Sequence, residues 1–170
     1  MEKKEDELKD PLPMKALLVL VSYHHKNTEK IAKVFAKVLD AQIKSPQQIN
    51  LEELQAYSLI GFGSGIDSGK HYRVLFDFAD KLPQVTNRKA FIFSTSTIIS
   101  KAKVAEDHSS LRGKLQSKGY MIVDEFACKG FNTNSFLKFF GGKNKGRPNT
   151  EDLKHAEEFA QNLKQNLQKK

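Results

Sequence analysis

The sequence predicts an α/β domain in three layers, a doubly wound five-stranded parallel sheet with helices on both faces. Three observations carry that expectation. Strand-like and helix-like segments alternate, which implies parallel strands joined by right-handed crossovers. The strands read as unbroken apolar runs, as expected of a sheet covered on both sides. Three strands are followed by segments rich in hydroxyls, amides and glycine, where such a sheet places its ligand.

Ala16–Val21 is an apolar run of strand length. The helix expected over Thr28–Leu39 places Ile31, Val34, Phe35, Val38 and Leu39 on one face, with Lys30, Lys33 and Lys37 opposite. Ala41–Lys44 reads as a short edge strand before Pro46, and Asn50–Leu54 as one helical turn. Tyr57–Phe62 is a second strong strand. The Tyr72–Leu82 helix turns Val74, Leu75, Phe78, Ala79 and Leu82 inward, and Lys89–Phe93 is a strand. A helix over Asp107–Lys118 closes on Gly119, the favoured residue after a helix. Tyr120–Ala127 is the fifth strand. The last helix, Thr150–Leu167, has Glu151 and Asp152 in its first turn and a stripe of Leu153, Ala156, Ala160, Leu163 and Leu167. Between these two lies a long connection, Lys129–Pro148, carrying Gly130, Gly141, Gly142 and Gly146 beside Phe131, Phe136, Phe139 and Phe140; connections of this length are often functional.

The chain of 170 residues is expected to form one domain over 14–170, preceded by a solvated, disordered tail over 1–13 that ends at Pro11 and Pro13. That tail has neither the apolar core of a secretory signal nor the composition of a transit peptide. Twelve phenylalanines and 39% hydrophobic residues argue against disorder of the rest. No apolar run reaches the length of a membrane span. Cys128 is the only cysteine, so no intrachain disulfide forms, and a cytoplasmic setting is expected. The first ten residues carry a net −2 within a total of +8, which leaves +10 on the body. That balance fits an acidic partner. Nucleic acid is disfavoured, because the basic residues are spread over several elements and no aromatic-basic motif accompanies them.

Several nucleotide motifs fail. Gly69-Lys70 resembles a fragment of a phosphate loop, but Ser64 stands at the leading glycine and His71 at the required hydroxyl residue. Gly61-Phe62-Gly63-Ser64-Gly65-Ile66 lacks the last glycine of a dinucleotide fingerprint. No acidic pair follows the first strand. His24 and His25 are adjacent and point apart, and His71, His108 and His155 read as surface histidines rather than metal ligands. Three polar segments remain: Ser22–Thr28, Gly61–Gly69 and Ser94–Ile99. In the first, a strand ends and a helix begins, so unpaired first-turn N–H groups and the helix dipole favour an anion. The ordinary alternative is a turn with Asn27 or Thr28 as N-cap.

In the order of its elements and in these three loops, the chain resembles the flavodoxin family over about residues 14–167. The first loop, Tyr23-His24-His25-Lys26-Asn27-Thr28, is similar to the family's hydroxyl-rich phosphate turn; Asn27, Thr28 and Glu29 match, while Lys26 stands where glycine is usual and His25 where a hydroxyl is usual. The resemblance implies a sheet order of 2-1-3-4-5 and FMN as cofactor. It implies that Ser22, His25, Lys26, Asn27 and Thr28 hold the phosphate, that Gly63, Ser64 and Gly65 flank one side of the flavin ring, and that Thr95, Ser96 and Thr97 approach the other. Thr97 also stands where the resembled subgroup often has glycine. Tyr72 or Phe131 are candidates to stack on the ring, since the chain has no tryptophan. The implied function is electron transfer as a monomer to a redox partner with an acidic docking surface, with no catalytic residue and no metal. The alternatives are an FMN-dependent quinone or flavin reductase, and an interaction domain that has lost FMN.

Overall fold

The computed structural model describes residues 13–133 and 141–169. All but the last residue of the expected N-terminal tail lies outside them, as do Phe136, Phe139 and Phe140 of the long connection. The elements run β1 (Ala16–Val21), α1 (Asn27–Leu39), β2 (Ala41–Lys44), β3 (Leu59–Asp67), β4 (Lys70–His71), α2 (Arg73–Lys81), β5 (Arg88–Ser96), α3 (Lys101–Ser117), β6 (Tyr120–Lys129) and α4 (Thr150–Gln168), with short 3-10 turns at His24–Lys26, Pro46–Gln48 and Leu51–Ala56. Five strands pair in parallel in the order β2-β1-β3-β5-β6. This is the expected doubly wound sheet and the expected order, with β5 and β6 as fourth and fifth strands. The addition is β4, which folds back antiparallel on the end of β3, pairing Ile66 with His71 and Asp67 with Lys70.

Alternation along the strands builds two cores. Leu17, Val19, Ile60, Phe62, Ala90 and Ile92 pack under α2 and α3. Leu18, Leu59, Phe91, Phe93 and Phe126 pack on the opposite face with α1 and α4. Phe35 of α1 is the centre of that second core: its ring lies 5.7 Å from Phe91, 5.2 Å from Phe93, 5.4 Å from Phe126 and 5.5 Å from Phe159. Such aromatic pairs contribute about 0.5–1.5 kcal/mol each beyond the area they bury.

Four boundaries differ from expectation, each for a physical reason. β3 continues five residues past Phe62, so most of the supposed second loop is strand. Gly61 and Gly63 read as turn residues, but they lie in register with Phe91 and Phe93, and their missing side chains leave room for those rings. β5 likewise continues through Ser94, Thr95 and Ser96. α3 begins at Lys101, well before Asp107, with the Ser100 hydroxyl accepting the Lys103 N–H at 3.1 Å. None of the six residues Lys101–Glu106 is buried, so this stretch carries no apolar stripe to mark it as helix. Finally, α1 is capped by neither Asn27 nor Thr28. Its N-cap is Lys26, in the left-handed region and without a side-chain cap bond.

The glycine argument is testable by paired substitution. A methyl at Gly63 would sit 2.1 Å from Cζ of Phe93, whereas one at exposed Gly113 in α3 meets nothing within 4 Å. Gly63→Ala is expected to destabilise by about 1–3 kcal/mol or more through overpacking. Gly113→Ala is expected to stabilise by about 0.5–1 kcal/mol, because alanine loses less backbone entropy in a helix. Urea unfolding of both variants checks the opposite signs.

Candidate functional site

The carboxyl ends of β1, β3 and β5 lie side by side, and a crevice opens there at the point where the strand order reverses. Its cavity volume is about 40 Å³, below the about 300–1,000 Å³ of small-molecule sites, so a ligand of that size enters only as the walls part. Ser22, Asn27 and Thr28 line it from the first loop, Gly65, Ile66 and Tyr72 from the end of β3 and its hairpin, and Thr95, Ser96 and Thr97 from the end of β5. Tyr23, His24, Gly130, Phe131 and Asn132 complete it.

The first loop turns abruptly. His25 and Lys26 both take positive φ, 53° and 52°, a region that disfavours L-residues by roughly 1–2 kcal/mol each. Lys26 thus occupies the backbone conformation that explains why glycine is usual there in the resembled loop. The turn brings Ser22 Oγ to accept the Glu29 N–H at 3.3 Å and sets the first turn of α1 at the crevice. Thr28 Oγ1 lies 2.8 Å from Thr95 Oγ1, and both residues are buried. Two hydroxyls share one bond there, so one proton joins the pair and the other remains available to an acceptor. Asn27 donates Nδ2–H to the Phe131 carbonyl at 2.8 Å, while its buried Oδ1 has no partner among the described residues. Gly130 is needed beside it, since a Cβ there would stand 2.7 Å from Asn27 Nδ2.

The third wall is tied from outside. Asn132 donates to Thr97 Oγ1 at 2.6 Å and Asn144 to the Thr97 carbonyl at 2.8 Å. The described parts of the long connection therefore fold back onto the end of β5. Across the crevice Tyr23 stacks on Tyr72, with centroids 5.3 Å apart and planes at 22°. Burial pushes the Tyr72 hydroxyl pKa up, with the negative charge of Asp67 and the neighbouring Tyr23 adding to it.

Seven of the residues singled out in the sequence come together here: Ser22, Asn27, Thr28, Gly65, Thr95, Ser96 and Thr97. Four do not line the crevice. His25 turns aside, its ring 4.3 Å from that of Phe131 and Nε2 2.8 Å from Thr133 Oγ1. The Lys26 side chain is exposed and reaches toward Glu29 at 4.0 Å. Gly63 makes room for Phe93, and Ser64 is sealed beneath the surface. Both lie one or two residues before Gly65, where this strand begins to line the crevice. Asn132 and Asn144 were not foreseen; only the folded return of the connection brings them to Thr97. His71 and His108, expected at the surface, are 3% and 0% exposed. Among the described residues no group of three or more His, Cys, Asp or Glu could hold a metal, and no helix is long and apolar enough to cross a membrane. Burial pushes the Cys128 thiol up to about 12, which leaves it a packing residue rather than a nucleophile.

No protein-family model matches the chain. An uncharacterized protein of Methanocaldococcus jannaschii is 48% identical over 153 residues, covering 90% of this chain and 100% of the relative. The chain belongs to the family of that protein. Among solved structures, a flavodoxin from the domain Archaea superposes with a TM-score of 0.67 at 18% identity, covering 88% of this chain and 96% of its own. Flavodoxin 2 from Bacillus cereus follows at 0.64 and 20%, covering 86% and 94%. The flavodiiron core of Flv1 from Synechocystis sp. PCC6803 matches at 0.62 and 16%, over 92% of this chain and 36% of its own. The fold of this family member is flavodoxin-like.

Left-handed backbone at Lys26 gives a prediction for stability. Its exposed pair with Glu29 contributes little. Lys26→Gly relieves the strain at some entropic cost, for a net stabilisation of about 0.5–1 kcal/mol, seen as a thermal midpoint raised by about 1–4 °C. An unchanged or lowered midpoint contradicts the strain.

Proposed function

We propose that the protein binds FMN in this crevice and acts as an electron-transfer protein. The observation that carries the reading is the first turn of α1 set against the crevice with the Thr28–Thr95 hydroxyl pair at its base. Helix-terminal N–H groups and a spare hydroxyl proton suit a phosphate dianion. The buried Oδ1 of Asn27, without a partner among the described residues, suits a hydroxyl donor such as a sugar-alcohol chain provides. The residues present therefore fit the group. Ser22, Asn27, Thr28 and the backbone of the turn would hold the phosphate. Gly65, Ile66 and Tyr72 would bound one side of the ring, and Thr95, Ser96 and Thr97 the other.

FMN, when bound, supplies the redox chemistry. The chain supplies anchorage, packing and shielding from water. Among the described residues no carboxylate lines the crevice. Tyr23 and Ile98, 57% and 56% exposed, stand in the first and third loops as apolar contacts for a docking protein. The net +10 of residues 11–170 favours an acidic partner, with association that slows as salt rises.

One observation favours a second reading. Tyr23 and Tyr72 both line the crevice and already stack on each other, as they would in an interaction domain that uses the same fold without flavin. Titration with FMN and with riboflavin separates the two. The FMN reading expects FMN to bind more tightly than riboflavin, and Thr28→Ala to weaken FMN by about tenfold or more, the value of a hydrogen bond to a charged group. Equal affinity for the two flavins contradicts a phosphate site, and binding of neither leaves the interaction domain.

A further inference from the structure

Behind the crevice, on the face of the sheet that α3 covers, lies a buried polar chain. Ser64 of β3 and Ser94 of β5 are cross-strand neighbours. Each meets a histidine: Ser64 Oγ lies 2.8 Å from His71 Nδ1, and Ser94 Oγ lies 2.7 Å from His108 Nε2. The two imidazoles are 5.0 Å apart. None of these four side chains is more than 3% exposed.

Ser64 is the junction between this chain and the crevice. Its hydroxyl donates to the Gly65 carbonyl at 2.7 Å and accepts the Tyr72 N–H at 3.1 Å. With the hydroxyl proton on Gly65, the hydrogen of the His71 bond sits on Nδ1. One oxygen thus joins the residue that leaves the sheet to the two that return to it. Gly65 and Tyr72 are also in close approach, since a Cβ on Gly65 would stand 2.4 Å from the Tyr72 hydroxyl. Gly65, Ile66 and Tyr72 form one wall of the crevice.

We propose that His71 and His108 position this wall: while His71 is uncharged the Gly65–Tyr72 hairpin is pinned to the sheet, and protonation of His71 releases it. The functional meaning rests on the crevice being the binding site; the conformational claim does not. A proton added to His71 lands on Nε2, which is buried and has no partner among the described residues. The second imidazole stands beside it. The carboxylates near the chain are engaged elsewhere: Asp107 pairs with Lys103 on α3, and Glu125 of β6 takes both nitrogens of Arg112 while lying 3.3 Å from His108 Nδ1. Toward solvent, the groove that His71 floors carries Asp67 and Asp77 but also Lys70, Arg73 and Lys114. A buried imidazolium there has no dedicated counter-charge.

Burial, and then the neighbouring His108, hold His71 well below the ordinary histidine value of 6.5. A base whose closed-state pKa is depressed lends full stability above its open-state pKa and loses it as pH falls below that value. The pinned hairpin is therefore stable above about pH 6.5, and its opening rises up to tenfold per pH unit below.

Hydrogen exchange of the protein without added flavin reads this directly, after correction for intrinsic rates. From pH 7.5 to 5.0 the opening of amides 65–72, and of the Tyr72 N–H above all, is expected to rise by up to about 30-fold, while β1 stays unchanged. His71→Gln keeps an N–H donor for Ser64 but does not titrate, so the pH dependence should vanish. Ser64→Ala should expose the hairpin at both pH values. Pinning is overturned if wild-type protection at 65–72 is the same at both pH values, a result that needs no variant to fold. It is equally overturned if His71→Gln retains the wild-type pH dependence. A parallel FMN titration should show affinity falling at pH 5.0 in the wild type and less so in His71→Gln. Failure of FMN to bind at any pH would count against the cofactor and leave the exchange result standing.

Discussion

Phe91 and Phe93 of β5 lie across Gly61 and Gly63 of β3, and this pairing sets the register on which the site depends. A slip of one residue would turn both rings from the α1 and α4 layer into the α3 layer. With the register fixed, Ser64 meets Ser94 and Gly65 meets Thr95 at the carboxyl ends of the two central strands. Alternation then sends consecutive residues to opposite tasks. Thr95 reaches Thr28 on the crevice side, and Ser94 reaches His108 on the α3 side. The crevice and the buried histidines are two faces of one strand pairing.

That arrangement makes the crevice walls unequal. The first loop is held by the helix it begins, by Ser22 and by a turn that tolerates two left-handed residues. The third is strapped by Asn132 and Asn144. The second rests on a short hairpin whose return strand has two residues, so its anchorage falls largely on Ser64 and His71. Of the three, it is the wall that rests on a buried histidine.

Much of this was legible in the sequence. β1 and α1 stand out because an apolar run gives way at once to a helical period, and the polar turn between them marks the site. The sheet order follows from the alternation and the family resemblance. What was not legible has specific causes. Glycine at every second position reads as loop, although Gly61 and Gly63 of β3 leave space for rings on the neighbouring strand and Gly65 for the ring of Tyr72. The first turns of α3, Lys101–Glu106, bury no side chain and so show no apolar stripe. His71 and His108 come from different elements, and no linear spacing announces that they meet. Lys26 and Thr97 depart from the usual glycines, and the structure shows what each position asks: a left-handed backbone at the first and an anchorage for two asparagines at the second.

The central claim is that this chain holds FMN. Mixing the purified protein with excess FMN, passing it through gel filtration and recording the visible spectrum of the protein peak tests it most directly. The account predicts a yellow protein with one FMN per chain and flavin fluorescence altered from that of the free cofactor. A colourless protein peak, with all the FMN eluting later as the free molecule, would contradict it.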